Sequence, residues 1–344
     1  MATPDVTVMG AGIFGLCCAW SLARRGARVR VVEPHGIGAG ASGGIVGALS
    51  PHVPEDWNAK KQFQFESLAM AEAYWAEIES VSGQSPGYAR TGRLQPVADA
   101  GALSLARRRA GTARHLWQGA ADWRLVEAQG GWSIPSPAGV LVHDTLSARI
   151  APRRALAALA AAVEARGGGI AGEGVPEGAV IWATGVAGLA DLSSALGKPV
   201  GTGVKGQAAL LAHDARGAPQ LFAYGLHIVP HADGTVAIGS TSERVYFGPN
   251  DTDDRLDLLI ATARALVPAL AEAPVVERWA GVRPRAASRA PMLGPWPARP
   301  GHYVANGGFK IGFGIAPKVG ETLADLILDG RDAIPPGLRV EDSL

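Results

Sequence analysis

At 344 residues, with 47% hydrophobic and 18% charged side chains, the chain is long enough for about two domains and apolar enough to bury a sizeable core. Lys and Arg (32) nearly cancel Asp and Glu (31), which argues against a nucleic-acid binder driven by counterion release. Gly (46) and Pro (24) stay below the roughly 25–30% that marks low-complexity chains, so global disorder is excluded as well.

Val6–Met9 reads as a buried strand, Gly10–Gly15 as a tight turn and Leu16–Arg25 as a helix stopped by Gly26. Arg28–Val32 follows as a second strand, completing a βαβ unit. The uncharged run Val6–Ala23 has the length of a minimal membrane span, but Gly10, Gly12 and Gly15 divide it into strand, turn and helix. No basic n-region precedes it and no A-x-A site follows, so neither a membrane span nor a signal peptide is expected. Cys17 and Cys18 are adjacent and offer no disulfide framework, which points to a reducing, cytoplasmic setting. Ala39–Ser50 is too glycine-rich for regular structure, yet it is short and apolar, as expected of backbone held against something.

Gln62–Val81 carries Phe65, Leu68, Ala71, Trp75 and Ile78 at helical spacing. Gly87–His143 reads as short strands and loops, and Arg153–Arg166 as a helix opened by Pro152. Val180–Ala183 is a short strand stopped by Thr184 and Gly185. A β-rich stretch covers Val204–Thr241, with a hairpin from Leu226–Pro230 to Val236–Gly239 around Asp233-Gly234. Asp253–Leu270 reads as a helix, His302–Ala305 as a strand and Lys318–Leu328 as a helix capped by Gly330. Alternating α/β and β-rich blocks predict two interleaved domains, the nucleotide domain assembled from separated pieces.

Gly10-Ala-Gly12-Ile13-Phe14-Gly15 matches the dinucleotide fingerprint: one glycine turns the chain, one admits the pyrophosphate and one lets helix and strand pack closely. Free N–H groups at the helix start would meet the phosphates. Glu33, followed by Pro34, ends the next strand where a carboxylate can bond ribose hydroxyls, and it disfavours a 2′-phosphate without separating NAD from FAD. The second glycine segment, Gly38-Ala39-Gly40-Ala41-Ser42-Gly43-Gly44-Ile45-Val46-Gly47, would let backbone amides and the Ser42 hydroxyl approach a further long portion such as a ribityl chain and flavin.

These residues, with Trp182-Ala183-Thr184-Gly185, Gly281-Val282-Arg283-Pro284 and Gly308-Phe309-Lys310-Ile311-Gly312 running on to Pro317, resemble the D-amino-acid oxidase superfamily of FAD enzymes, near its glycine oxidase and sarcosine oxidase members. The pieces span nearly the whole chain in the family's order. The resemblance implies a Rossmann-like FAD-binding domain from about residues 1–85, 145–203 and 276–344, and an antiparallel substrate domain from 86–144 and 204–275. It further implies oxidation of the C–N bond of an amine or amino acid by hydride transfer to flavin, hydrolysis of the imine, and return of electrons to oxygen or another acceptor. Relatives often self-associate, so a homo-oligomer is a further expectation. The cysteine that attaches flavin covalently in sarcosine oxidases has no counterpart after Cys18, which predicts dissociable FAD. The stretch Gly167–Gly178 is short where relatives carry a hairpin near the adenine.

On this reading Arg283 holds a substrate carboxylate through parallel bonds, with a structural ion pair as its alternative role. Lys310 stands where glycine oxidases have arginine and sarcosine oxidases have lysine, and would touch flavin or substrate. His227 replaces a substrate-contacting tyrosine; it would donate to a carboxylate or act as a base near pH 7, with an ordinary hydrogen-bonded strand histidine as the commoner alternative. His52 is a candidate to face the flavin, while Tyr224 and Trp279 are candidate pocket walls.

Four other readings compete. Gly40-x-Ser42-x-Gly44 fits the hydrolase nucleophile pattern without its strand-to-helix setting. His227 and His231, four apart on a strand, do not converge on a metal. A 2-hydroxy-acid dehydrogenase would use the same arginine but needs a base for the hydroxyl proton, and a flavin- or NAD-binding protein without turnover is the last alternative.

Overall fold

A computed structural model describes residues 3–128 and 130–344. The first elements are β1 (Val6–Met9), α1 (Ile13–Ala23), β2 (Val29–Val32), β3 (Ala48–Leu49) and α2 (Ala59–Ser82). They are followed by β4 (Arg93–Pro96), α3 (Ala100–Leu116), β5 (Trp123–Glu127), β6 (Val140–Asp144), β7 (Ala148–Arg149) and α4 (Pro152–Ala165). Next come β8 (Gly169–Ala171), β9 (Ala179–Trp182), α5 (Gly185–Leu196), β10 (Gly201–Ala212), β11 (Gln220–Ala223), β12 (Leu226–Pro230) and β13 (Thr235–Gly239). The chain closes with α6 (Asp254–Leu266), β14 (Val275–Ala286), β15 (Met292–Pro295), β16 (His302–Asn306) and α7 (Gly312–Asp329).

Two large sheets organise these elements. A six-stranded sheet in the order β15-β16-β9-β1-β2-β8 has β1 parallel to both β2 and β9, with only β15 running against its neighbour. An eight-stranded sheet, β14-β10-β13-β12-β11-β4-β6-β5, is antiparallel except where β4 pairs with β11. Interleaving is literal: the chain leaves the first sheet after β2, returns for β8 and β9, leaves again, and re-enters at β15. Residues 276–286, counted from the sequence with the FAD-binding segments, lie in β14 at the edge of the eight-stranded sheet.

The core of the nucleotide half forms around α1, all of whose residues are buried. Such a helix needs apolar neighbours on every side, and α7 supplies one through its small residues. A Cβ added at Gly320 would lie 2.5 Å from the Cys17 carbonyl oxygen, so α1 and α7 meet backbone to backbone. Polar bonds fix the register: Ser21 donates to Glu321 at 2.5 Å, and Arg24 bridges Glu321 (2.6 Å) and Glu77 of α2 (2.7 Å).

Three elements depart from the sequence reading. The segment expected as strands and loops contains the 17-residue α3, opened by Asp99, whose carboxylate accepts from the Ala102 amide at 2.8 Å. Only Ala106 and Ala113 of this helix are buried, so there is no apolar stripe to read. Gly185 does not merely stop β9; it begins α5. And α7 starts at Gly312, six residues before the expected Lys318, running through Pro317. Gly330 caps it as expected, with φ +68°.

Gly320→Ala should therefore cost about 1–3 kcal/mol, since both atoms in collision belong to rigid helices, whereas Gly111→Ala on the exposed face of α3, where a Cβ meets nothing within 4 Å, should add about 0.5–1 kcal/mol. Paired thermal melts check the opposite signs.

Candidate active site

The amino-terminal glycine turn is built by close approach. Gly10 has φ +105°, and a Cβ on it would lie 2.6 Å from the Ala183 carbonyl oxygen; one on Gly15 would lie 1.9 Å from the Gly10 carbonyl oxygen. The turn is thus pressed onto the end of β9 while α1 is pressed onto the turn. Ser42, in the short helical turn Ala41–Gly43, accepts the Ile13 amide proton at 3.0 Å, and a Cβ at Gly12 would meet its hydroxyl at 3.1 Å. Glu33, at the end of β2, accepts from the amides of Ala11 (3.1 Å) and His35 (2.9 Å). This serine is committed to a helix N-terminus, which removes the hydrolase reading.

Above this floor the eight-stranded sheet supplies a roof. Directly paired positions run Trp279–Ala208–Gly239–His227–Phe222 across β14, β10, β13, β12 and β11, small residues between aromatic ends. Between floor and roof lies a cavity of about 350 Å³, a size usual for small-molecule sites. Its wall includes Gly12, Ile13, Phe14, Ala41, Ser42, Gly44, Ala183, Gly185, His227, Arg283, Gly308, Phe309, Lys310 and Gly312, all anticipated from sequence. Gly10, Gly15, Glu33, Pro34, Thr184 and Ile311 shape the surroundings without lining it, and Gly40 and Gly43 face a neighbouring cavity of about 570 Å³ that shares Trp279 with the first. Ile45–Gly47, the end of the second glycine segment, also line the site, and so do Ala48, Phe222, Ser240, Asn306, Gly307 and Phe313, which the sequence reading did not assign to it. Nothing local marks Phe222 or Ser240.

The arrangement fits a dinucleotide cofactor. The first turn of α1 has amides with no helical acceptor, aimed from a turn that tolerates no side chain. Gly308 continues the same bare surface, since a Cβ there would lie 2.8 Å from the Phe14 ring, and the buried Thr184 hydroxyl has no partner among the described residues. Gly10–Gly15, Glu33 and Ser42 would hold the nucleotide end, and Gly44–Gly47 with Gly308–Gly312 the ring end.

Arg283 dominates the roof. Its side chain folds over Gly206, where a Cβ would be 2.0 Å from Nη2. Nη1 donates to Ser240 Oγ at 2.8 Å, and Nη2 donates to the carbonyls of Thr241 at 2.6 Å and Lys205 at 3.3 Å. Three of five donors are occupied, Nε is buried without a partner, and no carboxylate pairs with this guanidinium among the described residues. The structural ion pair weighed from sequence is not formed. Burial pulls the Arg283 pKa down to about 10, opposed by the Glu243 charge, so the group remains a cation at neutral pH. Phe309 lies beneath it at 5.7 Å, and Lys310 Nζ approaches the same ring at 5.8 Å from the exposed side. Burial and then Arg283 lower the Lys310 pKa.

His227 differs from expectation. Burial first, then the charges of Arg93 and Lys310, push its pKa down to about 3, and its Nδ1 is buried without a partner. A neutral imidazole can hydrogen-bond substrate, but it is far too weak a base to take a proton near pH 7. His52 is turned away from the cavity, its amide donating to Gln64 Oε1 at 2.8 Å and its ring bonded to the same oxygen. Tyr224 is 82% exposed at a turn and walls nothing, whereas Trp279 does. His231 bonds the Ile45 carbonyl at 3.1 Å, and among the described residues no three His, Cys, Asp or Glu converge as metal ligands. Cys17 and Cys18 are wholly buried, and burial pushes the Cys17 thiol up to about 12.

An acid test follows for His227. The unfolded imidazole protonates below its ordinary pKa of 6.5 and the folded one only near 3, so this residue removes stability as pH falls through that window. At pH 5.5 the loss should be about 1 kcal/mol relative to pH 7.5. His227→Gln should flatten that part of the slope in urea titrations; equal slopes would mean that the folded imidazole already carries a proton.

Comparison with known proteins agrees with this geometry. Residues 5–326 match the family model described as FAD dependent oxidoreductase. A glycine oxidase of Pseudomonas aeruginosa is 28% identical over 369 residues, with 96% of each chain covered. A bifunctional ThiO/ThiG protein of a Nostoc species is also 28% identical, and the chain, 96% covered, spans about half (53%) of its length. In structure, glycine oxidase from Geobacillus kaustophilus superposes with a TM-score of 0.81 at 22% identity, covering 96% of both chains. With its glycine turns, paired sheets and cavity in the places that this fold provides, the chain belongs to the DAO family of FAD-dependent oxidoreductases.

Proposed function

We propose that this enzyme oxidises the C–N bond of a small amine bearing a carboxylate, with Arg283 as the carboxylate clamp. The observation that carries the reading is a desolvated guanidinium, unpaired with any described carboxylate, over a cavity floored by bare glycine backbone. Burying such a cation without an anion is unfavourable unless a ligand supplies one. A substrate carboxylate does so through charge-assisted hydrogen bonding in place of the long 3.3 Å bond to the Lys205 carbonyl, and its approach fixes the α-carbon relative to the ring end of the cleft.

Bound FAD supplies the two-electron acceptor. The chain's own contribution is orientation, dryness and control of one proton. Trp279, Phe222 and Phe309 make the walls aromatic, and Lys310 closes the mouth with a second positive charge. An amine must be neutral to give up hydride, and no side chain in the described wall is a base near pH 7. The wall carries Arg283 and Lys310 but no Asp or Glu, and that charge pattern disfavours the ammonium form directly. His227, being neutral, can accept a hydrogen bond from the amine without competing for its proton. The imine released to water hydrolyses, and oxygen or a carrier takes the electrons.

The 2-hydroxy-acid alternative is less well supported, because it needs a base for the hydroxyl proton and His227 is not one. The curated relatives named glycine oxidase also favour an amine. No helix among the described residues is long and apolar enough to cross a membrane, and both cysteines are free and buried, which fits a reducing compartment.

The purified protein should be yellow, and an anaerobic screen over glycine, sarcosine, D- and L-amino acids and 2-hydroxy acids should bleach it with an amino acid. Arg283→Met should keep the colour yet lose about 3 kcal/mol in kcat/KM, roughly a hundredfold or more. Bleaching by 2-hydroxy acids alone, or unchanged kinetics in the variant, would overturn the assignment.

A further inference from the structure

The cavity does not explain how Arg283 is held in place, and the answer lies on the other side of the sheet. All three acceptors of its guanidinium sit on two backbone stretches: Lys205 in β10, and Ser240 and Thr241 just beyond β13. The second stretch has left regular strand, so its position must be fixed by other bonds. Glu243 supplies them. Its backbone pairs reciprocally with Lys205, N–H to O at 2.9 Å and 3.0 Å. Its carboxylate accepts from Thr241 Oγ at 2.5 Å, Gln207 Nε2 at 3.0 Å and Arg255 Nη1 at 2.8 Å. Thr241 Oγ in turn accepts the Gln207 amide proton at 2.8 Å.

The strand period sets the geometry. Gly206 lies under the Arg283 guanidinium, so Lys205 and Gln207 project to the opposite face, where Glu243 meets them. Glu243 is 7% exposed; burial by itself raises a carboxyl pKa, but the donors from Thr241, Gln207 and Arg255 reverse this and hold it below the usual range. It touches neither the cavity nor Arg283.

We infer that Glu243 is a positioning residue for the carboxylate clamp: it holds the Ser240–Thr241 segment so that the Arg283 guanidinium keeps its orientation over the cavity. This rests on Arg283 being the clamp, as proposed above. A guanidinium that loses two of its rear anchors rotates about its own side chain, and its bonding to a carboxylate degrades before cofactor binding does. The effect should therefore be selective for substrates that carry a carboxylate.

The experiment uses flavin-loaded enzyme in anaerobic stopped-flow reduction. It compares the amino acid that bleaches fastest with its primary amide, which keeps the amine and removes the negative charge. Glu243→Gln should lower the carboxylate-to-amide ratio of kcat/KM about tenfold, mostly through KM, while flavin content and the amide's own rate stay at wild-type values. Thr241→Val, which removes only the hydroxyl that links Glu243 to the segment, should move the ratio the same way and carries the test if Glu243→Gln does not fold. Arg283→Met should collapse the ratio towards one. If Arg283→Met leaves the ratio intact, the clamp itself is wrong. If that variant collapses it while Glu243→Gln and Thr241→Val slow both substrates equally, or leave the ratio unchanged, the clamp stands and the role of Glu243 is overturned.

Discussion

Backbone pressed on backbone is the constraint from which the rest of the molecule follows. The Gly10–Gly15 turn can lie against the end of β9 only because neither Gly10 nor Gly15 carries a Cβ, and α7 can lie against α1 only because Gly320 does not. Together these contacts bring three glycine segments, distant in the chain, around one cleft. Side chains at any of these positions would occupy the space that the backbone and the cofactor need. The chemistry also asks for such a surface, because a phosphate or ring system held by amides and close contact is held without mobile charges that could titrate.

The opposite wall works by the reverse logic, with a few polar groups placed at considerable cost. Arg283 is desolvated, and its charge is met from behind by carbonyl and hydroxyl oxygens rather than by an anion. Neutral acceptors fix its orientation while leaving most of its field directed into the cavity, whereas an adjacent carboxylate would cancel that field. The nearby anion, Glu243, stays outside the cavity wall, bonded to Thr241, Gln207 and Arg255, and its charge opposes the effect of burial on Arg283.

Much of the nucleotide half was legible in the sequence because its signals are local. Glycine spacing, a buried strand and a carboxylate at the next strand end form one continuous stretch, and the structure places Val6–Met9, the turn and α1 almost where the sequence reading set them. The roof was much less legible. Ser240 reaches the cavity at the end of β13, which pairs with β10 and β12, and Phe222 through β11–β12 pairing, and pairing partners far apart in sequence leave no local trace. The helix α3 escaped for a different reason: it packs through two alanines, so hydrophobic periodicity, the primary helix signal, is missing. The early start of α7 was hidden by Pro317, which suggests a helix beginning near it, although a proline can sit beyond the first turn when packing holds the rest.

His227 marks the limit of reasoning from residue type. An unperturbed imidazole titrates near neutrality, which makes histidine the natural candidate for a base wherever one is sought. At this position it is flanked by Phe222 at 4.5 Å between ring centres, and it lies within the fields of Arg93 and Lys310, so each surrounding feature opposes its protonation. The same fields act on any amine that enters. Burial first, and then the cations that hold His227 neutral, would also disfavour an ammonium group in the cavity. On the proposed reading, the cations that would recognise the carboxylate would thus also favour the neutral amine, whose lone pair must push the hydride away from the adjacent carbon.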